Sequence, residues 1–307
     1  MTPKTRVAVI GCGVLGTRHA EIYHELPDVE LAGVYDIHPD RTQHLADLLG
    51  VRAFGRLAQI FGTIDAASIC TPAHTHFEVA RELLLKGVHL LVEKPITTRL
   101  EDADELLRLA REENLTLQAG HVERFNPAVQ AIKSIVKNPK FIECDRIGPY
   151  DSRITDVGVI LDLMIHDIDI LLHIVGSKVK SVDTIAMNIM SPTEDFANTR
   201  LTFENGTVSS LTASRIARDR LRKIRIFQEN AYISLDYVRQ EAVILTKENG
   251  TTAYKTIDIE KAHPLKKELA EFIQCVRTRE RPLVSGEEGR AALEVALKIL
   301  EQVRRRA

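Results

Sequence analysis

Short apolar runs alternate with longer segments in which apolar residues recur every three or four positions. This alternation fills roughly the first 120 residues. Arg6–Ile10 reads as a β-branched strand, Val14–Leu26 as an amphipathic helix and Glu30–Tyr35 as the next strand. Pro39–Leu49 is helical and stops at Gly50, Val51–Phe54 is a short strand, and Ala66–Cys70 is a strand ending at Thr71-Pro72. His74–Leu85 is a helix closed by Lys86-Gly87, followed by the buried-strand run Leu90, Leu91 and Val92. Thr98-Arg99-Leu100-Glu101 has the form of a capping box and opens a helix reaching about Glu113, and Thr116–Ala119 is a further strand. Strands alternating with helices predict an α/β fold, a doubly wound parallel sheet of Rossmann type.

After His121 the pattern changes. A helix over Asn126–Val136, introduced by Pro127, precedes the strand Phe141–Arg146 and the strongly apolar helix Leu161–Val175. Strands follow at Val182–Ile189, Thr199–Phe203, Val208–Ser214, Lys223–Phe227, Ala231–Leu235 and Ala242–Thr246. Asn205-Gly206 and Asn249-Gly250 are hairpin signals. Helices over Pro264–Arg277 and from Ser285, whose capping box reaches Glu288, to Arg305 close the chain. The expected organisation is a Rossmann domain over 1–122 and an α+β domain with a largely antiparallel open sheet over 123–307.

Composition narrows the classes without naming one. At 307 residues, 44% hydrophobic and 27% charged, with a net charge of −2, the chain reads as an ordinary globular protein with no expected nucleic-acid partner. No apolar run is long enough to span a bilayer, and the N-terminus enters a strand without a signal-peptide layout. Cys12, Cys70, Cys144 and Cys275 match neither zinc nor redox spacing, so a reducing cytoplasm is the expected compartment and no metal is expected.

Chemistry concentrates at three places. Gly11-Cys12-Gly13-Val14-Leu15-Gly16 is a G-x-G-x-x-G turn between the first strand and the first helix. Its glycines permit a tight turn, let a pyrophosphate approach the backbone and let helix and strand pack closely, while the helix N-terminus offers N–H groups to phosphate. Asp36 ends the next strand, where an acid accepts bonds from an adenosine ribose and repels a 2′-phosphate, which favours NAD over NADP. The alternative is a structural glycine turn with a surface aspartate. At Glu93-Lys94-Pro95 the charge falls at the C-terminal end of a buried strand, where open α/β sheets bind ligands, and Pro95 keeps Lys94 out of helical geometry.

The third place is the helix Leu161–Val175. At 100° per residue, Asp162, His166, Asp169 and His173 share one face while apolar residues cover most of the rest. Such a stripe lines a polar cavity, satisfies its own network or holds a metal, and Asp162 is placed to orient His166. Arg124 reads either as a phosphate or carboxylate contact or as a salt bridge, and Phe125 either as a ring contact or as core.

These motifs together resemble the Gfo/Idh/MocA oxidoreductases over essentially the whole chain: the glycine turn, Asp36, Thr71-Pro72 with His76, Glu93-Lys94-Pro95, Arg124-Phe125-x-Pro127 and the D-x-x-x-H pair Asp162/His166. Within that family, Gly120–Pro127 together with Asp162–Asp169 is similar to the branch of UDP-N-acetylglucosamine 3-dehydrogenases. The resemblance implies oxidation of a sugar 3-hydroxyl to a ketone, ahead of transamination to a 3-amino sugar for lipid A, in a cytoplasmic homodimer or homotetramer; the rival readings are a cyclitol or free-sugar dehydrogenase, a glycosidase that uses NAD transiently, and a non-enzymatic sensor that binds NAD as a ligand. It implies NAD contacts from Gly11, Gly13, Val14, Leu15, Gly16, Asp36, Thr71, Pro72, His76, Glu93, Lys94 and His121. It places Lys94, Arg124, Phe125, Arg153, Asp162 and His166 around a small-molecule substrate, with Lys94, Asp162 and His166 catalytic and Glu93 in support of Lys94 or the ribose. Arg215 and Arg218 are further candidates for a UDP group. One departure stands out: Gly158 is followed by Val159-Ile160-Leu161, where many members have further glycines.

Overall fold

A computed structural model describes residues 3–150, 157–248 and 251–306. The chain divides into two compact units. The first comprises residues up to His121 together with Leu265–Arg290, and the second Val122–Pro264 with the residues from Ala291 on. The segment Leu265–Arg290, assigned by its place in the sequence to the second domain, thus groups with the first unit.

The first unit is a six-stranded parallel sheet of β1 (Thr5–Ile10), β2 (Val29–Tyr35), β3 (Arg52–Ala53), β4 (Ala66–Ile69), β5 (His89–Glu93) and β6 (Leu117–Gly120), in the order β3-β2-β1-β4-β5-β6. The crossovers carry α1 (Val14–Glu25), α2 (Pro39–Leu49), α3 (His76–Leu84) and α4 (Leu100–Glu112). Val7–Ile10, Ala66–Ile69 and Leu90–Val92 are fully buried, as required of central strands covered on both faces. The strand order reverses between β1 and β4, the crevice where doubly wound sheets bind dinucleotides. The start of α4 differs from the capping-box expectation. Its N-cap is Arg99, with no side-chain cap, and the nearby hydroxyl of Thr97 instead donates to the Arg99 carbonyl. Near Ser285 the expected reciprocal bonds do form: its N–H donates to Glu288 at 2.9 Å, and its hydroxyl accepts from the Glu287 N–H at 3.2 Å.

The second unit is an eight-stranded sheet of β7 (Phe141–Ile147), β8 (Val179–Met187), β9 (Phe196–Phe203), β10 (Val208–Ser214), β11 (Leu221–Gln228), β12 (Ala231–Asp236), β13 (Glu241–Glu248) and β14 (Thr251–Ile257). Its order is β14-β13-β12-β11-β7-β10-β9-β8, antiparallel except for the parallel pair β7–β10. The turn at Asn205-Gly206 joins β9 to β10, with Gly206 at φ +87°, and Asn249-Gly250 lies outside the described residues. Helices α5 (Pro127–Lys133), α6 (Ile165–Val175) and most of α8 (Gly286–Arg306) supply Val129, Ile132, Ile168, Leu171, Ala296 and Ile299 to one core with Ile142, Cys144, Ile224 and Ile226 of the sheet. The remaining helix, α7 (Pro264–Thr278), buries Leu269, Phe272 and Ile273. No helix among the described residues is long and apolar enough to cross a membrane.

One polar group is sealed into the second core. Arg146 of β7 makes two bonds of 2.9 Å to Asp167 of α6 and one of 3.0 Å to Glu123. Burial works against its charge, but Asp167 and Glu123 more than reverse that and hold the guanidinium well above its ordinary pKa. Removing one partner of such a pair strands a buried charge. Arg146→Met is therefore expected to cost about 3–5 kcal/mol in urea denaturation, and Asp167→Leu added to it recovers part of that loss. Two additive single-site losses would show that the pair does not hold the sheet to α6.

Candidate active site

The glycine turn follows β1 directly. Gly11 sits at φ +95°, and a Cβ there would lie 2.6 Å from the Cys70 carbonyl oxygen. A Cβ at Gly16 would fall 1.7 Å from the Gly11 carbonyl oxygen, so α1 can start this close to the turn only with glycine. Gly13 differs: a Cβ there meets no atom within 4 Å, and as the N-cap of α1 it brings no side chain to cap the helix. Open space against exposed backbone N–H groups at a helix N-terminus fits a pyrophosphate. Val14 and Leu15 open that helix, Val14 being 63% exposed. Asp36 is tied to the turn, its carboxylate accepting from the Cys12 N–H at 2.8 Å and from the His38 N–H at 2.9 Å. Two lone pairs therefore remain for a ribose. Burial and the Asp36 charge push the Cys12 thiol up to about 12, so it is inert.

Parallel register aligns the strand ends. Ile10 pairs with Ile69, Ile69 with Val92, Val92 with Ala119 and Glu93 with Gly120. Gly11, Cys70, Lys94 and His121 therefore leave the sheet along one rim. Lys94 is half-buried there, and the Lys94–Pro95 peptide is cis. The Glu93 carboxylate lies over Gly120, where a Cβ would come within 2.8 Å of its carboxyl carbon. One of its oxygens is 3.1 Å from His19 Nε2, and the other accepts the Lys94 N–H at 3.2 Å. His19 is fully buried and Glu93 6% exposed, and the bond from the Lys94 N–H to the Glu93 carboxylate supports the backbone that carries Lys94. His19 was not singled out from the sequence, although it stands one turn into α1, three residues after Gly16. His76 links the neighbouring turn to this one, its ring nitrogens lying 2.8 Å from the carbonyl oxygens of Thr71 and Pro95. Burial lowers its pKa against the pull of those carbonyls, and the neutral ring donates to one of them. Pro72 is exposed, Thr71 half-buried and His121 1% exposed.

In the second unit the polar stripe divides into two sets. Residues Ile160–Met164 form a π turn, after which α6 runs from Ile165 to Val175, so Asp162 lies outside the 100° progression that His166, Asp169 and His173 share, and burial is what divides the four. Asp169 is buried and pairs with Arg124 at 3.1 Å. This is the salt-bridge alternative for Arg124, and Phe125, 2% exposed, is core. His173 is lowered to about 4 by burial, then by Arg124 and Lys133, and stays neutral. Asp162 and His166 are half-buried and accessible. Gly158 lies against Glu194, whose carboxylate a Cβ would approach to 2.1 Å.

Asp162 lines a cavity of about 110 Å3 together with Arg146, Ser214, Arg215, Arg220 and Arg222. Arg215 is 4% exposed and bonded to Asp195 at 2.7 Å, and Arg218 is exposed. Arg153 lies outside the described residues. Asp167, Arg220 and Arg222 carry no signal in local spacing: Arg222 reaches Arg146 by strand register, Asp167 reaches it by the packing of α6 on the sheet, and Arg220 joins the cavity just before β11 begins.

Comparison with known proteins matches this geometry. A model of the oxidoreductase family with an NAD-binding Rossmann fold (GFO/IDH/MocA) fits residues 5–121, and one of the GFO/IDH/MocA C-terminal domain fits residues 129–234. The chain is 35% identical to a UDP-N-acetylglucosamine 3-dehydrogenase from Acidithiobacillus ferrooxidans, covering 96% of each. The chain belongs to the Gfo/Idh/MocA family. It is an NAD-dependent oxidoreductase. A solved structure of a 3-dehydrogenase of the same name and organism aligns with a TM-score of 0.92 over 96% of both chains. A myo-inositol 2-dehydrogenase from Thermotoga maritima is 28% identical over 97% of each chain.

The glycine geometry separates folding from cofactor binding. Gly13→Ala is expected to keep the wild-type melting temperature yet lose NAD affinity by about tenfold or more, because its methyl group occupies the phosphate's place. Gly16→Ala is expected to destabilise the fold itself. Thermal shift with and without NAD reads both, and full NAD stabilisation of Gly13→Ala would contradict the placement.

Proposed function

We propose that this Gfo/Idh/MocA member oxidises a secondary hydroxyl of a nucleotide sugar to a ketone, and that the substrate is UDP-N-acetylglucosamine reacting at its 3-hydroxyl. The observation that carries the reading is the 35% identity over 96% of the chain to an enzyme of that name. NAD, when bound, supplies the hydride acceptor. Gly11, Gly13 and Gly16 would hold its pyrophosphate, and Asp36 its adenosine ribose. Lys94 hydrogen-bonds the reacting hydroxyl oxygen and stabilises the alkoxide character that develops there. His166 removes the hydroxyl proton, and Asp162 orients His166. Glu93 and His19 keep the Lys94 backbone in place, which is a supporting role and not an acid–base one. The resulting 3-ketosugar has the chemistry of a transamination substrate, in keeping with a place in lipid A assembly in the cytoplasm.

Self-association through the open face of the second sheet is part of this reading. Phe141, Phe227, Tyr232, Leu245 and Tyr254 stand opposite one another across five strands, and Phe227 and Tyr254 are 38% and 73% exposed. A row of that size suits a second copy of the chain.

The test is to mix purified protein, NAD and UDP-N-acetylglucosamine, follow NADH absorbance and weigh the sugar product. The expected product is lighter by two hydrogens, and Lys94→Ala and His166→Ala are each expected to slow its formation by about 10²-fold or more while NAD binding persists. Turnover of myo-inositol with none of the nucleotide sugar would overturn the substrate reading, and near-normal turnover by Lys94→Ala would overturn the role of Lys94.

A further inference from the structure

We infer that the arginine-lined cavity of the second unit is the subsite for the diphosphate of the nucleotide sugar, gripped by Arg220 and Arg222; this rests on the substrate reading above. Four arginines, Arg146, Arg215, Arg220 and Arg222, line one space of about 110 Å3 with Asp162 and Ser214. Two of the four are spoken for. Arg146 is bound by Asp167 and Glu123. Arg215 is bound by Asp195 at 2.7 Å, by the Val157 carbonyl and by the hydroxyls of Ser191 and Thr193. Their countercharges stand behind the cavity wall, so these two shape it.

The other two are different. Among the described residues Arg222 pairs with Glu123, at 3.8 Å, and the same oxygen already accepts from Arg146 at 3.0 Å. Arg220 is exposed and makes no ion pair with any described residue. Register places Arg222 directly opposite Arg146 on the neighbouring antiparallel strand. Like charges in that position destabilise a sheet. On the same face β11 continues with Ile224 and Ile226, both fully buried, so an apolar or neutral residue at 222 would serve the fold better. Burial, then repulsion from Arg146, lowers the Arg222 pKa, as expected of a cation short of countercharge. Asp162 is the one carboxylate in the described lining, so Arg220 and Arg222 still leave the cavity with a positive balance that suits an anion, and guanidinium forks match phosphate oxygens in pairs.

The position fits the substrate's own geometry. In a UDP-sugar the diphosphate is carried on C1, two ring carbons from C3. A protein that takes the proton from the 3-hydroxyl beside Asp162 must therefore hold phosphate close to that same carboxylate, as this cavity does. An inositol or a free neutral sugar brings no anion and gives these arginines no work.

The test is calorimetric titration of UDP, UMP, uridine and glucuronate into the full-length protein with NAD present, for wild type, Arg220→Gln, Arg222→Gln and the control Arg200→Gln, exposed on β9 and outside the cavity lining. UDP is expected to bind wild type and Arg200→Gln alike, and to lose about tenfold or more in affinity for each of the other two variants. Uridine binding should be unchanged among all four, and KM for the nucleotide sugar should rise with kcat little altered. Arg222→Lys, which keeps the charge, should recover part of the loss. If Arg222→Gln fails to fold, Arg220→Gln, at an exposed position, carries the same readout. UDP binding equally well to all variants overturns the subsite, as does an equal loss in Arg200→Gln or a preference for glucuronate. Normal oxidation of UDP-N-acetylglucosamine alongside unaltered UDP affinity in the variants removes the subsite and leaves the substrate reading standing. Arginine-dependent UDP binding without oxidation at C3 does the reverse.

Discussion

A buried guanidinium fixes the chemistry of the second unit. Arg146 sits in an apolar core and is tolerable there only because Asp167 and Glu123 meet it at 2.9–3.0 Å, with the Tyr237 ring 5.2 Å away. Asp167 belongs to α6 and Arg146 to the sheet, so the pair fixes the helix in both translation and rotation. A second buried pair, Arg124 with Asp169, secures the same helix two residues further on. With Asp167 and Asp169 committed, the rotation of α6 is set, and Asp162 and His166 are left half-buried at its start. Two ion pairs that contribute little net stability thus determine where Asp162 and His166 point.

In the first unit the equivalent constraint is the parallel register. Four strand ends finish level, and the close approach at Gly11 and Gly16 lets α1 begin immediately above them. Lys94 is held from beneath by the Glu93 carboxylate, which fits because residue 120 has no side chain, and His19 Nε2 lies 3.1 Å from that carboxylate. The reading of Glu93 as support for Lys94 rests on these contacts.

Much of the architecture was legible in the chain because it depends on local pattern. The strand–turn–helix order, the Asn205-Gly206 hairpin and the helix boundary at Pro39 follow from residues adjacent in sequence. Features set by long-range packing were not legible. Thr98 has the sequence of a capping box, yet α4 begins at Leu100 behind Arg99. The π turn at Ile160–Met164 broke the rotation that grouped Asp162 with Asp169 and His173. Asp167 was passed over because it lies off that stripe, and Arg222 because only pairing with β7 brings it to Arg146. Residues Leu265–Arg290 follow the second sheet in sequence but group with the first unit, a return that no local signal announces.

The central claim, that this NAD-dependent enzyme removes hydride from C3 of a UDP-amino sugar, is tested most directly by isotope transfer. UDP-N-acetylglucosamine carrying deuterium at C3 is incubated with the protein and NAD, and the reduced cofactor is weighed. The account predicts one deuterium in the NADH formed and a 3-keto product without it. Reduced cofactor free of deuterium, or no reduction at all while another hydroxyl substrate is oxidised, would contradict it.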